Sequence, residues 1–251
     1  MAAYPARRST ERELMDDPQS DSAALERTLR QFVLVNALLS RRGTVLTRYL
    51  LNDLEPGREY RVLDLGAGGG DIARWLVARA RKRGLRVRVT AADHDPRVVA
   101  CARRWCASEP LIDVVQVKVG EALGEHDYVI CNHVLHHVPD EEFPALLQAV
   151  YDTGARRFIA NDLLRSNASL VGFRLFAALF LRNSFSRVDG EISIKKGFRP
   201  EELRDLMSPS PWSPDTRIVR LSPGRVCVVA DRPRSDRRVA GGLPDSAPVG
   251  Q

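Results

Sequence analysis

Short apolar runs and amphipathic runs alternate along the middle of this chain. The segments "YRVLDLG" (60–66), "RVRVTAAD" (86–93), "DVVQVKV" (113–119), "DYVICN" (127–132) and "RRFIAND" (156–162) predict strands. Residues 71–83, 96–107 and 140–152 between them carry apolar positions at helical spacing. Such alternation predicts a parallel sheet with helices on both faces. Upstream, 21–52 repeats on a helical period. Leu25, Leu29, Phe32 and Val33 share one face, Leu46, Tyr49 and Leu50 another, and Gly43 is expected to divide the stretch into two helices. Downstream, a hydrophobic helix is predicted over about 167–184. A polar connection follows, then a helix opened by Pro200 in "RPEELRDLM". The runs "TRIVRL" (216–221) and "RVCVVAD" (225–231) are joined by "SPG", which predicts a hairpin and an antiparallel pair. Residues 1–20 read as irregular and 232–251 as a disordered tail.

Composition changes this picture little. A chain of 251 residues, 44% apolar and 28% charged, suits one large globular domain. The net charge of +6 is almost all arginine, since only four of 38 basic residues are lysine. These arginines are scattered, so the basic excess does not by itself imply a nucleic-acid partner. The four cysteines, at 101, 106, 131 and 227, form no CxxC pair and read as reduced thiols of a cytoplasmic protein. The N-terminus carries no apolar signal core, and the longest apolar stretch, 170–181, is interrupted by Arg174.

The chemistry begins at "VLDLGAGGGDIA" (62–73), a strand, a glycine turn and a helix start. Glycines let the backbone approach a ligand closely, and the helix N-terminus offers free N–H donors. A dinucleotide fingerprint would place its last glycine at 71, where this chain has Asp71. The spacing is instead Asp64-x-Gly66-x-Gly68-x-Gly70. It resembles motif I of the class I S-adenosylmethionine (SAM)-dependent methyltransferases, and an NAD-linked oxidoreductase is disfavoured. "VLHHVPD" and "ELMDDP" resemble small-molecule methyltransferases of quinone and bacterial polyketide biosynthesis.

The resemblance implies a Rossmann-like, seven-stranded, mostly parallel sheet with a terminal antiparallel hairpin, a helical N-terminal cap and a helical lid insert. One domain is expected over 21–231: a cap (21–54), a SAM-binding core (55–165), a lid and acceptor region (166–210) and the hairpin (211–231). Asp64 would face the cofactor's ammonium, and Asp93 the ribose. Asp95 and Pro96 would cap the next helix, and His94 would lie beside the adenine. Glu121, with Ala122 next to it, would meet the adenine amino group, and Asn132 would flank the methionine moiety. Asp127 is expected to be structural.

Three of the five histidines fall within "CNHVLHHVPD" (131–140). If the turn is helical, His133, His136 and His137 share a face, and Asp140 caps the following helix. His136 is assigned as general base for a phenol, with an acidic limb near the imidazole's unperturbed pKa of about 6.5, and a local structural role is its second reading. His137 is assigned to local structure. Asp162, leaving the fifth strand in "ANDLLR" with Asn161 and Arg165, would orient substrate or base. A metal is a third reading: ubiquinone-pathway O-methyltransferases that use a divalent cation carry E-x-x-E-H here. Histidines in place of both acids remove the hard oxygen ligands, so no metal is assigned.

Phe173, Phe176, Phe180 and Phe185 predict an apolar lid over a hydrophobic small-molecule acceptor. Packing against the N-terminal helices or a second subunit is the rival reading, which leaves a homodimer open. Arg174, Arg182 and Arg187 leave room for membrane-surface contact. No N-P-P-Y-like turn for a planar nucleobase amine follows the fourth strand, so nucleic acid is not expected as acceptor. The expected activity is O-methylation of a hydrophobic phenol or quinol, with aromatic polyketides in that class. The alternatives are C-methylation of a quinone ring and a SAM-fold binding protein without turnover.

Overall fold

The computed structural model describes residues 7–117, 121–233 and 236. Seven strands form one sheet: β1 (Glu59–Leu65), β2 (Arg86–Asp93), β3 (Ile112–Gln116), β4 (Tyr128–Asn132), β5 (Arg157–Leu163), β6 (Thr216–Leu221) and β7 (Arg225–Asp231). Their spatial order is β3-β2-β1-β4-β5-β7-β6. The first five run parallel, and β7 pairs antiparallel with both β5 and β6. This is the Rossmann-like methyltransferase fold expected from the sequence.

Each central strand feeds two cores. Val62, Tyr128 and Ile130 face helices α2 (Arg42–Tyr49) and α3 (Asp71–Arg81). Leu63, Val129 and Cys131 face α5 (Phe143–Asp152) and α8 (Pro200–Met207). Burial on both faces explains why β4 reads as a continuous apolar run rather than an alternating one. The order reverses between β1 and β4, and open parallel sheets bind ligands beyond the strand ends at such a point.

Several local expectations are corrected. Helix α1 (Ser22–Leu38) and α2 are separated at Leu39–Arg41, where Arg41 takes a left-handed conformation; Gly43 lies inside α2. Val33 is exposed on α1, while Leu25 and Leu29 are buried. The hydrophobic stretch ends sooner than expected, as α6 (Asn167–Phe180). The expected polar connection is itself helical, α7 (Ser186–Lys196), whose buried residues include Ser186, Asp189, Ser193 and Lys196. A helix that buries polar groups shows no amphipathic stripe. Asp140 opens a short 3-10 turn without capping it and instead pairs with Arg8. Asp95 does cap α4 (Pro96–Cys106), accepting from the Arg97 N–H at 2.8 Å.

The chain from 7 to 20 is irregular except for one 3-10 turn, Leu14–Asp16. Most of the expected tail, 232–251, lies outside the described residues, as does the end of the third predicted strand, 118–119. All four cysteines are free and buried. Among the described residues no helix is long and apolar enough to cross a membrane.

Candidate active site

The carboxyl ends of β1, β2, β4 and β5 open onto one cleft of about 1490 Å³. Single-ligand pockets usually measure ~300–1,000 Å³, so two molecules fit side by side. At the β1 end the chain turns through glycines. Gly66 has φ +70°, and a Cβ there would stand 2.4 Å from Val134 Cγ2. Gly68 has φ +54°, and a Cβ there would find nothing nearer than Leu29 at 3.9 Å, so its backbone lies bare. Gly70, also left-handed, is the N-cap of α3. The Gly68 N–H donates to Asp93 Oδ2 at 3.0 Å, and the Asp95 N–H donates to Asp93 Oδ1 at 3.2 Å. Asp93 therefore braces the glycine loop and lines the cleft beside it.

Two buried acids stand near this loop in different surroundings. Asp71 accepts from Asn36 Nδ2 at 3.2 Å and pairs with Arg42 at 2.7 Å. Asp64 has no such support: its Oδ2 lacks a hydrogen-bond partner among the described residues. Burial, with the charges of Asp71 and Asp93, pushes its carboxyl well above the usual carboxylate range. An uncompensated acid beside a bare glycine backbone fits a ligand that brings positive charge. SAM, with its ammonium and sulfonium, meets that demand.

Asn132 lies at the β4 end, tied to two neighbours. Its Nδ2 donates to Asn36 Oδ1 at 3.0 Å, and its Oδ1 accepts from Asn161 Nδ2 at 2.6 Å. Asn36, on α1, thus joins the cap to both Asp71 and Asn132. The sequence reading missed it because a lone Asn in a helical pattern carries no signal. His94 lines the cleft with its side chain largely exposed. Glu121 also lines the cleft, whereas Ala122 is exposed and outside that lining.

The three imidazoles come together, but not on one helical face. His133 precedes the 3-10 turn Leu135–His137 and has φ +62°. Its Nε2 meets Arg225, and its backbone N–H donates to the Asn161 carbonyl at 3.0 Å. Burial, then the Arg225 charge, holds its pKa well below the ordinary value. His136 is the buried member. Its Nδ1 lies 2.7 Å from Asp162 Oδ1, while its Nε2 lacks a hydrogen-bond partner among the described residues. His137 is half-exposed, with Nδ1 3.2 Å from Asp16 Oδ2, and its ring centroid is 4.2 Å from that of His136.

A fourth group arrives from the irregular N-terminus. Buried Glu13 places Oε1 3.5 Å from His136 Nε2 and Oε2 3.7 Å from His137 Nε2. Burial alone would drive the proton off His136, but the charges of Asp162 and Glu13 reverse this and hold the imidazole up at about 9. Burial likewise opposes charge on Asp162, and the His136 cation outweighs it and holds the carboxyl down. Glu13 is held at about 2, against its burial, by His136, His137 and Lys196. At neutral pH His136 is therefore an imidazolium between two carboxylates, and an acidic limb near 6.5 no longer follows.

Glu13, His136 and His137 offer ligand atoms within 4.8 Å of one another, a donor set that could hold a divalent ion. Lys196 Nζ already occupies this corner, 3.2 Å from Glu13 Oε1 and 3.3 Å from His137 Nδ1. With the His136 proton it supplies the positive charge a metal would bring.

Of the four phenylalanines expected in a lid, one lines the cleft. Phe173 lines the cleft and packs on Gly190, where a Cβ would stand 2.1 Å from its ring. Phe176 stacks with Phe180 at 5.0 Å and packs with Val35 of α1. Phe185 packs with Leu25 and Leu29. Arg165 does not reach the cleft. It is buried, donates to the Gly197 carbonyl at 2.8 Å and pairs with Glu202.

A family model described as a methyltransferase domain matches residues 62–154, from within β1 to just past α5. A non-reducing polyketide synthase of Aspergillus terreus, tazA, is 30% identical over 97 residues, which is 37% of this chain and 4% of that protein. Another, esdpA of Penicillium shearii, is 28% identical over 135 residues, 49% of this chain and 6% of that protein. The chain thus spans a small part of the curated relatives it matches. Human N-acetylserotonin methyltransferase in complex with SAM superposes with TM-score 0.61 at 18% identity, over 84% of this chain and 56% of that one. The methyltransferase SibL superposes with TM-score 0.58 at 21% identity, over 92% of this chain and 64% of that one. These likenesses show the fold.

Proposed function

We propose that this chain, a SAM-dependent methyltransferase in domain and fold, methylates the hydroxyl of a hydrophobic phenol or quinol. The observation that carries the reading is the His136–Asp162 pair, 2.7 Å apart, with His136 lining the same cleft as the glycine loop. Asp64, Asp93 and Asn132, with the open backbone at Gly68, would hold the cofactor, which supplies an electrophilic methyl group when bound. The curated relatives are polyketide synthases, and an aromatic polyketide falls within the proposed acceptor class.

The residues of this chain manage the proton. A phenol attacks best as phenolate, so its proton needs a base within reach. Asp162 fixes the His136 ring through Nδ1, which leaves Nε2 to meet the acceptor hydroxyl. An imidazole near 9 is matched to a phenol near ~10, so the proton is shared rather than trapped on either group. Phe173 and Val138 supply apolar lining to the same cleft.

Calorimetry with SAM, its demethylated product and NADH tests the cofactor, and a screen of hydrophobic phenols with product analysis tests the acceptor. Micromolar binding of the first two ligands, none of NADH, and an O-methyl ether product are expected. Methyl recovered on ring carbon would replace O-methylation with C-methylation.

A further inference from the structure

The site gathers at the ends of β1, β2, β4 and β5, and the charge of Glu13 reaches it from the irregular N-terminal segment. Residues 8–16 cross the acceptor side of the cleft as a strap and are latched at both ends. At one end Arg8 donates to the carbonyls of His136 and Val138, at 3.0 and 3.1 Å, and stacks 4.2 Å from the centre of the Phe198 ring. At the other end the backbone N–H groups of Leu14 and Met15 donate to the two oxygens of Asp189, at 2.7 and 3.0 Å. Between the latches Glu13 is pressed inward until its carboxylate faces the one free nitrogen of His136.

We propose that Glu13 is a positioning residue of the methyl-transfer site, which raises the proton affinity of His136 Nε2 from the side opposite Asp162 and so matches the site to phenolic rather than aliphatic hydroxyls. This rests on the reading of His136 as the proton acceptor.

The geometry supports it in three ways. The contact of 3.5 Å is too long for a good hydrogen bond but close enough for strong charge–charge coupling in a buried setting. Glu13 and His136 both line the cleft, so an acceptor hydroxyl would approach Nε2 from the cleft rather than between the two groups. Glu13 is the second carboxylate to face the ring. Asp162 from β5 and Glu13 from the strap favour the imidazolium. His133 and Arg225 lie on the Asp162 side, and Lys196 of α7 pairs with Glu13 at 3.2 Å. His137 and Asp16 form a separate contact at 3.2 Å on the exposed flank. With Asp162 alone, one carboxylate would face the ring against its burial and the nearby Arg225 charge. An aliphatic alcohol is a far weaker acid than a phenol, so a base of this strength favours the phenolic proton.

The test is a titration of the His136 imidazole by NMR in histidine-labelled full-length protein, assigned with His136→Ala. Glu13→Gln is compared with wild type, and binding of the demethylated cofactor reports an intact fold. The expected result is a His136 midpoint lowered by about one pH unit or more in Glu13→Gln, restored in part by Glu13→Asp. The acidic limb of methyl transfer should move down by the same interval. Arg8→Ala and Asp189→Asn loosen the latches without altering the His136 or Glu13 side chain, and should move the midpoint in the same direction. If Glu13→Gln lacks cofactor binding, these two variants carry the test. An unmoved midpoint, with thermal stability alone reduced, makes the strap purely structural and overturns the proposal. Failure of the underlying reading looks different: His136→Ala itself would then keep the wild-type rate and pH profile.

Discussion

His136 and Asp162 are joined twice. The ring Nδ1 lies 2.7 Å from Asp162 Oδ1, and the His136 backbone N–H donates to Asp162 Oδ2 at 3.3 Å. The carboxylate thus fixes both the ring and the turn that carries it. Asp162→Asn keeps the shape and removes the charge. It should lower kcat on the order of 10²-fold, the lower range for a positioned base, with the cofactor Kd nearly unchanged. Steady-state kinetics beside calorimetry checks this. A parallel loss of cofactor affinity would show that Asp162 serves the fold rather than the proton.

The same pair makes stability depend on pH in a definite direction. The folded pKa of His136, about 9, lies above its unfolded value near ~6.5. Its stabilisation is therefore fully present below about 6.5 and is lost as pH rises through 9. Asp162 and Glu13 are depressed, so their contribution is present above about 4 and is lost as pH falls below it. The melting temperature should be highest between about pH 5 and 7 and decline toward pH 10. His136→Gln should flatten the alkaline decline. Thermal melts across pH decide it.

Cofactor binding should release protons. The Asp64 carboxyl is pushed well up in the free protein, and a cationic ligand beside it restores the carboxylate. Calorimetry of SAM binding in buffers of different ionisation heat should therefore show net proton release near neutral pH. Asp64→Asn should abolish the release and weaken binding by about 1.5–3 kcal/mol, the worth of a hydrogen bond to a charged group. Release unchanged in Asp64→Asn would assign the proton to another group.

Two phenylalanines of α6 should part company. Phe173 lines the cleft, so Phe173→Ala should raise the acceptor KM several-fold and leave the cofactor KM alone. Phe176 packs on α1 and on Phe180, so Phe176→Ala should cost about 1–2 kcal/mol of stability and spare both KM values. An acceptor KM that responds to Phe176 and not to Phe173 would reverse the facing of the helix.

What the sequence made legible follows from where the signal is local. Asp64, Gly66, Gly68 and Gly70 stand within one turn, so their spacing alone marked the cofactor loop. The β4 strand announced itself because both of its faces are buried. The misses are long-range. Glu13 is one acid in a polar, irregular segment, and only the folded chain brings it to His136. Helix α7 spends Ser193 and Asp189 on hydrogen bonds inside the protein, which erases the apolar stripe that marks a helix. In the sequence Arg225 is only a strand residue, yet the antiparallel hairpin carries it to His133. Spacing alone puts the histidines on one helical face, but the left-handed turn at His133 breaks that geometry while keeping the rings together.

The central claim is that His136 takes the proton from an acceptor hydroxyl. The most direct measurement is the pH–rate profile of methyl transfer from labelled SAM to a hydrophobic phenol, run for wild type and for His136→Ala. The account predicts an acidic limb that rises toward about 9, well above the limb of a free imidazole, since His136 must shed its proton first. His136→Ala should lose about 10²–10⁴-fold in kcat and the limb with it. Its SAM affinity should stay intact, and chelator should leave the wild-type rate unchanged. A His136→Ala enzyme with the wild-type rate and profile, or one whose rate falls only when metal is stripped, would contradict the claim.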